Sequence, residues 1–192
     1  MGRWAADAAS RLEQAALELF AEQGYAATAV PEIAARAGLT TRTFFRYFPD
    51  KREVLFLHDR ELPAVVASLV AGAPAFLSPL GLVMHGFEAM AAGPFEGRKA
   101  DLQARRAIIG SDQGLREREL LKNVHLAGGI AGALSGQGVA GGEARLVARY
   151  GVLVFEIALN DWLDGDSDTF SDVLHSTAYR LGQLVRPARQ EE

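Results

Sequence analysis

The chain contains no cysteine, which removes disulfides, thiol nucleophiles and thiolate metal sites together and fits a reducing compartment. It has no stretch near the ~18 consecutive apolar residues that a membrane span needs. Its opening, MGRWAADAASRLEQ, lacks the apolar run of a secretory signal. The four histidines, His58, His85, His125 and His175, are scattered and form no H-E-x-x-H pair, so no metal site is expected. No G-x-S-x-G and no nucleophile–base set occurs either. These absences predict a cytoplasmic protein that is not an enzyme, holds no cofactor and has no membrane partner.

Positive charge is also in short supply. The chain carries 20 Lys and Arg against 24 Asp and Glu, a net charge of −4, and that sum argues against nucleic acid. Its distribution argues the other way. Residues 36–52 hold Arg36, Arg42, Arg46, Lys51 and Arg52 against Asp50 alone. A basic island in an acidic chain is the footprint of a phosphate-contacting face. A solvated helix face gives the same pattern, and charge alone does not separate the two.

What the chain has in quantity is helical periodicity. With 192 residues, 49% of them hydrophobic, it can bury a real core. Leu12, Ala15, Ala16, Leu19 and Phe20 form the stripe of an amphipathic helix that Gly24 closes. Val30, Ile33, Ala34 and Ala37 form a second, short stripe, with Thr28 as N-cap and Pro31 in the first turn. Thr40 caps a third helix carrying Phe44 and Phe48 on one face. Pro49 ends it, and Asp50 with Glu53 resembles a capping box opening a long fourth helix that Pro63 divides. Further helices are expected over about 96–109, 115–134, 143–163 and 169–185. The fold class is all-α, about nine helices, with no run of alternating strands.

The second and third of these helices meet the steric needs of a helix-turn-helix: small Ala34 at the crossing, Gly38 at the turn and Phe44 as anchor. With Phe44 and Phe48 inward, Thr41, Arg42, Phe45 and Arg46 point out of the second helix of the motif. Its N-terminal residues read bases while flanking groups hold phosphates. Arg42 is placed to pair bidentately with guanine. Thr41 is placed for a base contact, Thr28, Thr40 and Thr43 lie near helix N-termini that favour phosphate, and Tyr47 and Lys51 offer a phenol and a charge.

The run Gly24-Tyr25-Ala26-Ala27-Thr28-Ala29-Val30-Pro31-Glu32-Ile33-Ala34-Ala35-Arg36-Ala37-Gly38-Leu39-Thr40, followed by Thr43-Phe44-Phe45-Arg46-Tyr47-Phe48-Pro49-Asp50-Lys51, resembles the DNA-binding domain of the TetR/AcrR family over about residues 11–57. The resemblance implies a helix-turn-helix domain over 1–57 and a larger ligand-binding and dimerisation domain over 58–192. It implies a homodimer on a palindromic operator, released by a small hydrophobic effector. It puts Thr28, Thr41, Arg42, Thr43, Phe45, Tyr47 and Lys51 where members contact DNA. Two positions depart from the family: Phe45 stands where tyrosine is usual, and Arg42 where glycine is common.

The larger part says less. Val147, Tyr150, Gly151, Val154, Phe155, Ala158 and Trp162, then Phe170, Leu174, Ala178, Leu181 and Leu184, form a long apolar stripe over the last two helices. It suits a two-fold interface, which the resemblance renders as a four-helix bundle, or packing inside one subunit. Dimer contacts are accordingly expected at Val147, Tyr150, Gly151, Val154, Ala158, Trp162, Leu174, Ala178 and Leu181. A ligand pocket is expected among Phe76, Met84, Phe87, Met90, Phe95, Ile108, Ile109, Leu126 and Phe155, with His85, Asn123 and His125 as polar anchors.

Two apparent motifs are set aside. Gly136-Gln137-Gly138-Val139-Ala140-Gly141 fits a dinucleotide fingerprint but follows a helix rather than a strand, so it reads as a loop. Asp164, Asp166 and Asp168 begin like a calcium loop, but Thr169 and His175 stand where glycine and glutamate are needed. The rival functions are a DNA-binding regulator without an inducer and a small helical enzyme acting on an apolar substrate.

Overall fold

The computed structural model describes residues 2–91, 97–166 and 169–184, with side chains from Ala8 onward. Among these residues the regular structure is helical throughout: α1 Gly2–Gln23, α2 Val30–Arg36, α3 Thr41–Tyr47, α4 Leu62–Ala71, α5 Pro79–Ala91, α6 Lys99–Gly110, α7 Gln113–Gly136, α8 Gly141–Asp164 and α9 Phe170–Leu184. The helix starts expected near residues 96 and 169 fall within three residues of those seen. Phe95, Ser167 and Asp168 lie outside the described residues.

One expected helix does not form. Residues 52–60 make two short 3-10 turns, Arg52–Phe56 and His58–Arg60, before α4 begins. Asp50 does cap this segment, its Oδ1 accepting from the amides of Arg52 at 2.8 Å and Glu53 at 3.2 Å. The carbonyl of Leu55 is taken by the Arg105 side chain at 3.0 Å. A carbonyl satisfied from outside can do without the α-helical amide four residues on. Pro63 then falls in the first turn of α4, where its missing N–H breaks no bond.

The chain forms two compact units, one from the chain up to Glu61 together with Ala100–Lys122, the other from Leu62–Lys99 and from Asn123 onward. This division departs from the expected boundary after residue 57 and returns 100–122 to the first unit. The reason is packing. Ile108, Ile109 and Leu115 join the same apolar cluster as Leu12, Phe20, Ile33, Phe44, Phe48 and Phe56. Ile108 and Ile109 are therefore core residues of the first unit and not pocket residues of the second.

In the second unit α8 packs on α9 and α5, and α4 on α5. The Phe87 and Phe155 rings stack at 4.8 Å, and Phe170 meets Phe155 and Trp162 edge-on at 5.4 and 5.6 Å. This corrects the expected dimer stripe. Gly151, Val154, Ala158, Trp162 and Leu174 are buried within the unit, and Val147, Tyr150, Ala178 and Leu181 are half-buried beside them. The helical period holds, but at the five buried positions it faces the interior of the same chain and not a second copy.

The pocket candidates divide in the same way. Met84, Phe87, Met90, Leu126 and Phe155 are buried in the second unit, whereas Phe76 is 87% exposed. His85 and His125 are exposed, and Asn123 is half-buried, its Nδ2 donating to Glu156 Oε2 at 3.2 Å. The glycine-rich run is an interhelical turn: Gly138 takes a φ of +90° and the amide of Val139 closes on Leu134 O at 3.1 Å.

Candidate nucleic-acid interface

The recognition element is built from the turn outward. Gly38 adopts a φ of +65°, a conformation that disfavours any side chain with a Cβ. The amides of Gly38 and Leu39 reach back to Ala35 O at 2.9 Å and Ala34 O at 2.8 Å, closing α2 and turning the chain into α3. Arg11 of α1 donates to Ala37 O and seals that corner. Thr40 caps α3: its Oγ1 accepts from the amide of Thr43 at 3.1 Å and lies 3.0 Å from the Thr43 hydroxyl.

Phe44 and Phe48 are wholly buried, their rings 5.3 Å apart. The opposite side of α3 is thereby turned to solvent. Thr40, Thr41, Arg42, Phe45 and Arg46 are exposed, and Thr43 and Tyr47 are half-exposed. Among the described residues Arg42 has no hydrogen-bond or ion-pair partner, so its guanidinium is available. Arg46 donates to the Tyr47 hydroxyl at 3.0 Å and lies 4.9 Å over that ring, which holds the two as one group. Phe45 is 57% exposed and leans edge-on against Phe44.

Thr28 and Lys51 stand differently. Thr28 is 2% exposed, and its hydroxyl donates to Gly24 O at 2.8 Å and accepts from Gln23 at 3.3 Å. It therefore ties the turn between α1 and α2 and offers no hydroxyl to a phosphate; nor does it cap α2, which starts after Ala29. Lys51 Nζ donates to the carbonyls of Tyr25 at 2.6 Å and Thr28 at 2.8 Å, and sits 4.2 Å over the Tyr25 ring. Burial lowers the lysine's pKa. It also pushes the Tyr25 phenol up to about 12, helped by the charges of Asp112 and Asp50. Two of the ammonium's three N–H groups thus hold the scaffold beneath α2.

The basic island is also smaller in space than in sequence. Arg36 makes a bidentate bond to Glu22 at 2.9 and 2.7 Å and reaches Glu18 at 3.4 Å, and this bond from Arg36 holds Glu22 below its ordinary pKa. Arg52 pairs with Asp50 at 2.9 Å. The net positive ridge is therefore α3 itself, with Arg42 and Arg46. No group of three or more His, Asp or Glu side chains suited to a metal is found among the described residues, and no described helix is long and apolar enough to cross a membrane.

Residues 13–57 match the profile of the bacterial regulatory proteins of the tetR family. Residues 13–57 are thus a DNA-binding domain of the tetR family type. The HTH-type transcriptional regulator TcmR of Streptomyces glaucescens is 30% identical over 126 residues, which are 63% of this chain and 56% of that protein. This chain thus spans little more than half of that relative. Solved structures share the fold at low identity. A TetR-family regulator from Syntrophomonas wolfei superposes with a TM-score of 0.65 at 16% identity, covering 96% of this chain and 98% of that one. Thermus thermophilus FadR, a TetR-family repressor solved with lauroyl-CoA, gives 0.53 at 23% identity over 96% and 99% of the two chains.

Proposed function

We propose that this chain is a dimeric transcriptional repressor of the TetR family that grips a palindromic operator through α3 and lets go when a small apolar molecule enters its second unit. One observation carries the DNA-binding part: α3 buries Phe44 and Phe48 completely while presenting Thr41, Arg42, Phe45 and Arg46 to solvent. A helix anchored on one side and cationic on the other is built to enter the major groove. Arg42 reads a base, Thr41 a neighbouring one, and Thr40, Thr43, Arg46 and Tyr47 hold phosphates. Lys51 supports the backbone between α1 and α2, with its remaining N–H directed to phosphate.

The dimer face proposed here is the outer side of α8 and α9. Leu146 and Leu153 on α8 are 72% and 46% exposed, and Tyr179 on α9 is 69% exposed. Leu146, Leu153 and Ile157 recur at helical spacing along one stripe. A two-fold axis at Leu153 would bring Arg149 of one copy opposite Glu156 of the other, the self-complementarity an isologous contact requires. For the effector, the buried aromatic set of Phe87, Phe155 and Phe170 and FadR's lauroyl-CoA complex favour an apolar, acyl-bearing or aromatic compound.

The test is to recover genomic fragments bound by the purified protein against competitor DNA at moderate salt, with and without a panel of acyl-CoA thioesters and aromatic metabolites. A two-half-site palindrome is expected, released by at least one compound. No preferred duplex at any salt would end the DNA reading. A preferred duplex that no compound releases or stabilises would leave a regulator without an inducer.

A further inference from the structure

The carbonyl of Tyr47, in the last turn of α3, is one of the groups a helix leaves without an intrahelical partner. Arg60, thirteen residues on, supplies one: its Nη1 donates to Tyr47 O at 3.2 Å, and its guanidinium lies 5.6 Å over the Phe48 ring. Arg60 is itself exposed, so something must keep its long side chain in place. The Glu53 carboxylate does so at 3.8 Å. Glu53 in turn is gripped by Arg118 of α7, Nε to Oε1 at 2.6 Å and Nη2 to Oε2 at 3.2 Å. That outer pair is well enclosed, with side chains 18% and 14% exposed. The bidentate bond raises the pKa of Arg118.

The floor beneath this chain of charges is Phe56, which is wholly buried. Arg118 lies 4.7 Å from the ring centroid and Arg105 of α6 lies 5.2 Å from it. Arg105 also bonds Asp59 at 2.5 Å. Two guanidiniums on one ring, each with its own carboxylate, fix both the position and the orientation of Glu53 and Asp59.

We infer that Arg118 is a positioning residue for DNA binding, acting on the recognition helix through Glu53 and Arg60. It touches no part of the DNA-facing side of α3, and it lies in sequence far beyond the helix-turn-helix. Its role is to hold Glu53 so that Arg60 stays on the end of α3 and keeps Phe48, Tyr47 and Arg46 in register. Arg118 belongs to a helix that continues past Lys122 into residues of the second unit.

The inference rests on the DNA-binding reading for one of its two readouts, so the other is independent of DNA. Variants Arg118→Gln, Arg118→Lys, Arg60→Gln and the double Arg118→Gln/Arg60→Gln are compared with the wild-type chain. Loss of a charge-assisted bond is expected to weaken operator binding roughly ten-fold in Arg118→Gln. The slope of affinity against salt stays unchanged, because no phosphate contact is lost. The double variant is expected to be no weaker than the weaker single, the mark of two residues acting in series. Arg118→Lys recovers most of the loss. Amide exchange at Phe48 accelerates in both Gln variants, while exchange in the middle of α1 does not.

Operator binding within two-fold of wild type in Arg118→Gln overturns the inference. So does a shallower salt slope, which would put Arg118 on a phosphate, or losses that multiply in the double variant. Should Arg118→Gln fail to fold, Arg118→Lys and Arg60→Gln carry the same comparison. If the wild-type chain prefers no duplex, the DNA reading fails, yet unchanged Phe48 exchange in Arg60→Gln would separately sink the relay.

Discussion

Gly151 of α8 lies so close to Val83 of α5 that a Cβ on the glycine would stand 2.5 Å from Val83 Cγ1. No side chain fits there, so this face of α8 belongs to the subunit's interior. Gly151→Ala is expected to destabilise the protein by about 1–3 kcal/mol, the usual range for overpacking. Chemical denaturation of the variant checks this. The mass in light scattering should stay that of the wild-type chain wherever the variant is folded.

Leu153 gives the opposite expectation. It is 46% exposed on the outer side of the same helix. Leu153→Arg places like charges across the proposed two-fold axis. A monomer of wild-type helical content should result, measured by sedimentation across a range of concentrations. A dimer as tight as wild type would move the interface elsewhere.

On α3, Arg42→Ala should relax base preference at one position per half-site, by the ~1–3 kcal/mol that one bidentate pair discriminates. Selection from randomised duplexes reads this directly. Unchanged affinity and unchanged preference would mean that another residue of α3 reads that base.

Lys51→Met should behave differently from a pure phosphate contact. It strips the partner from two carbonyls, Tyr25 O and Thr28 O, and so should lower stability as well as affinity. Bonds to a charged donor contribute about 1.5–3 kcal/mol, which sets the expected scale. Thermal unfolding without DNA separates the two effects: an unchanged midpoint would return Lys51 to a role on phosphate alone.

Tyr25 predicts a response to alkali. Its phenol ionises near 10.0 when unperturbed and is pushed up to about 12 here, chiefly by burial. A raised pKa means that the stabilisation is fully present below pH 10 and is lost between pH 10 and about 12. Lys51, lowered by burial, contributes with the opposite sign in its own range. Tyr25→Phe removes the phenol's part only. The wild-type chain should therefore lose stability relative to Tyr25→Phe as pH rises through that window, as followed by denaturant unfolding.

The sequence disclosed what is local. Capping by Thr40 and the closing bonds of the turn at Gly38 lie within five residues, and the four-residue spacing of Phe44 and Phe48 marks the face that is buried. The 3.6-residue period of α8 was equally plain. Which object that period faced was not, because a stripe packed on α5 and a stripe packed on a second copy have the same spacing. The inward bonds of Thr28 and Lys51 were hidden for a related reason. A polar side chain turned inward onto a carbonyl has the same letter as one turned out to solvent. The grip of Arg105 on Leu55 O, fifty residues away, left no trace in local pattern, and the 3-10 geometry of 52–60 was missed with it.

Because Ile108, Ile109 and Leu115 complete the core around Phe56, the reading head is not a portable cassette. A fusion that transplants only residues 1–57 onto another effector module would carry an open wound where those three side chains belong. A chimera intended to keep the operator specificity proposed for α3 must bring Ala100–Lys122 along with the helix-turn-helix.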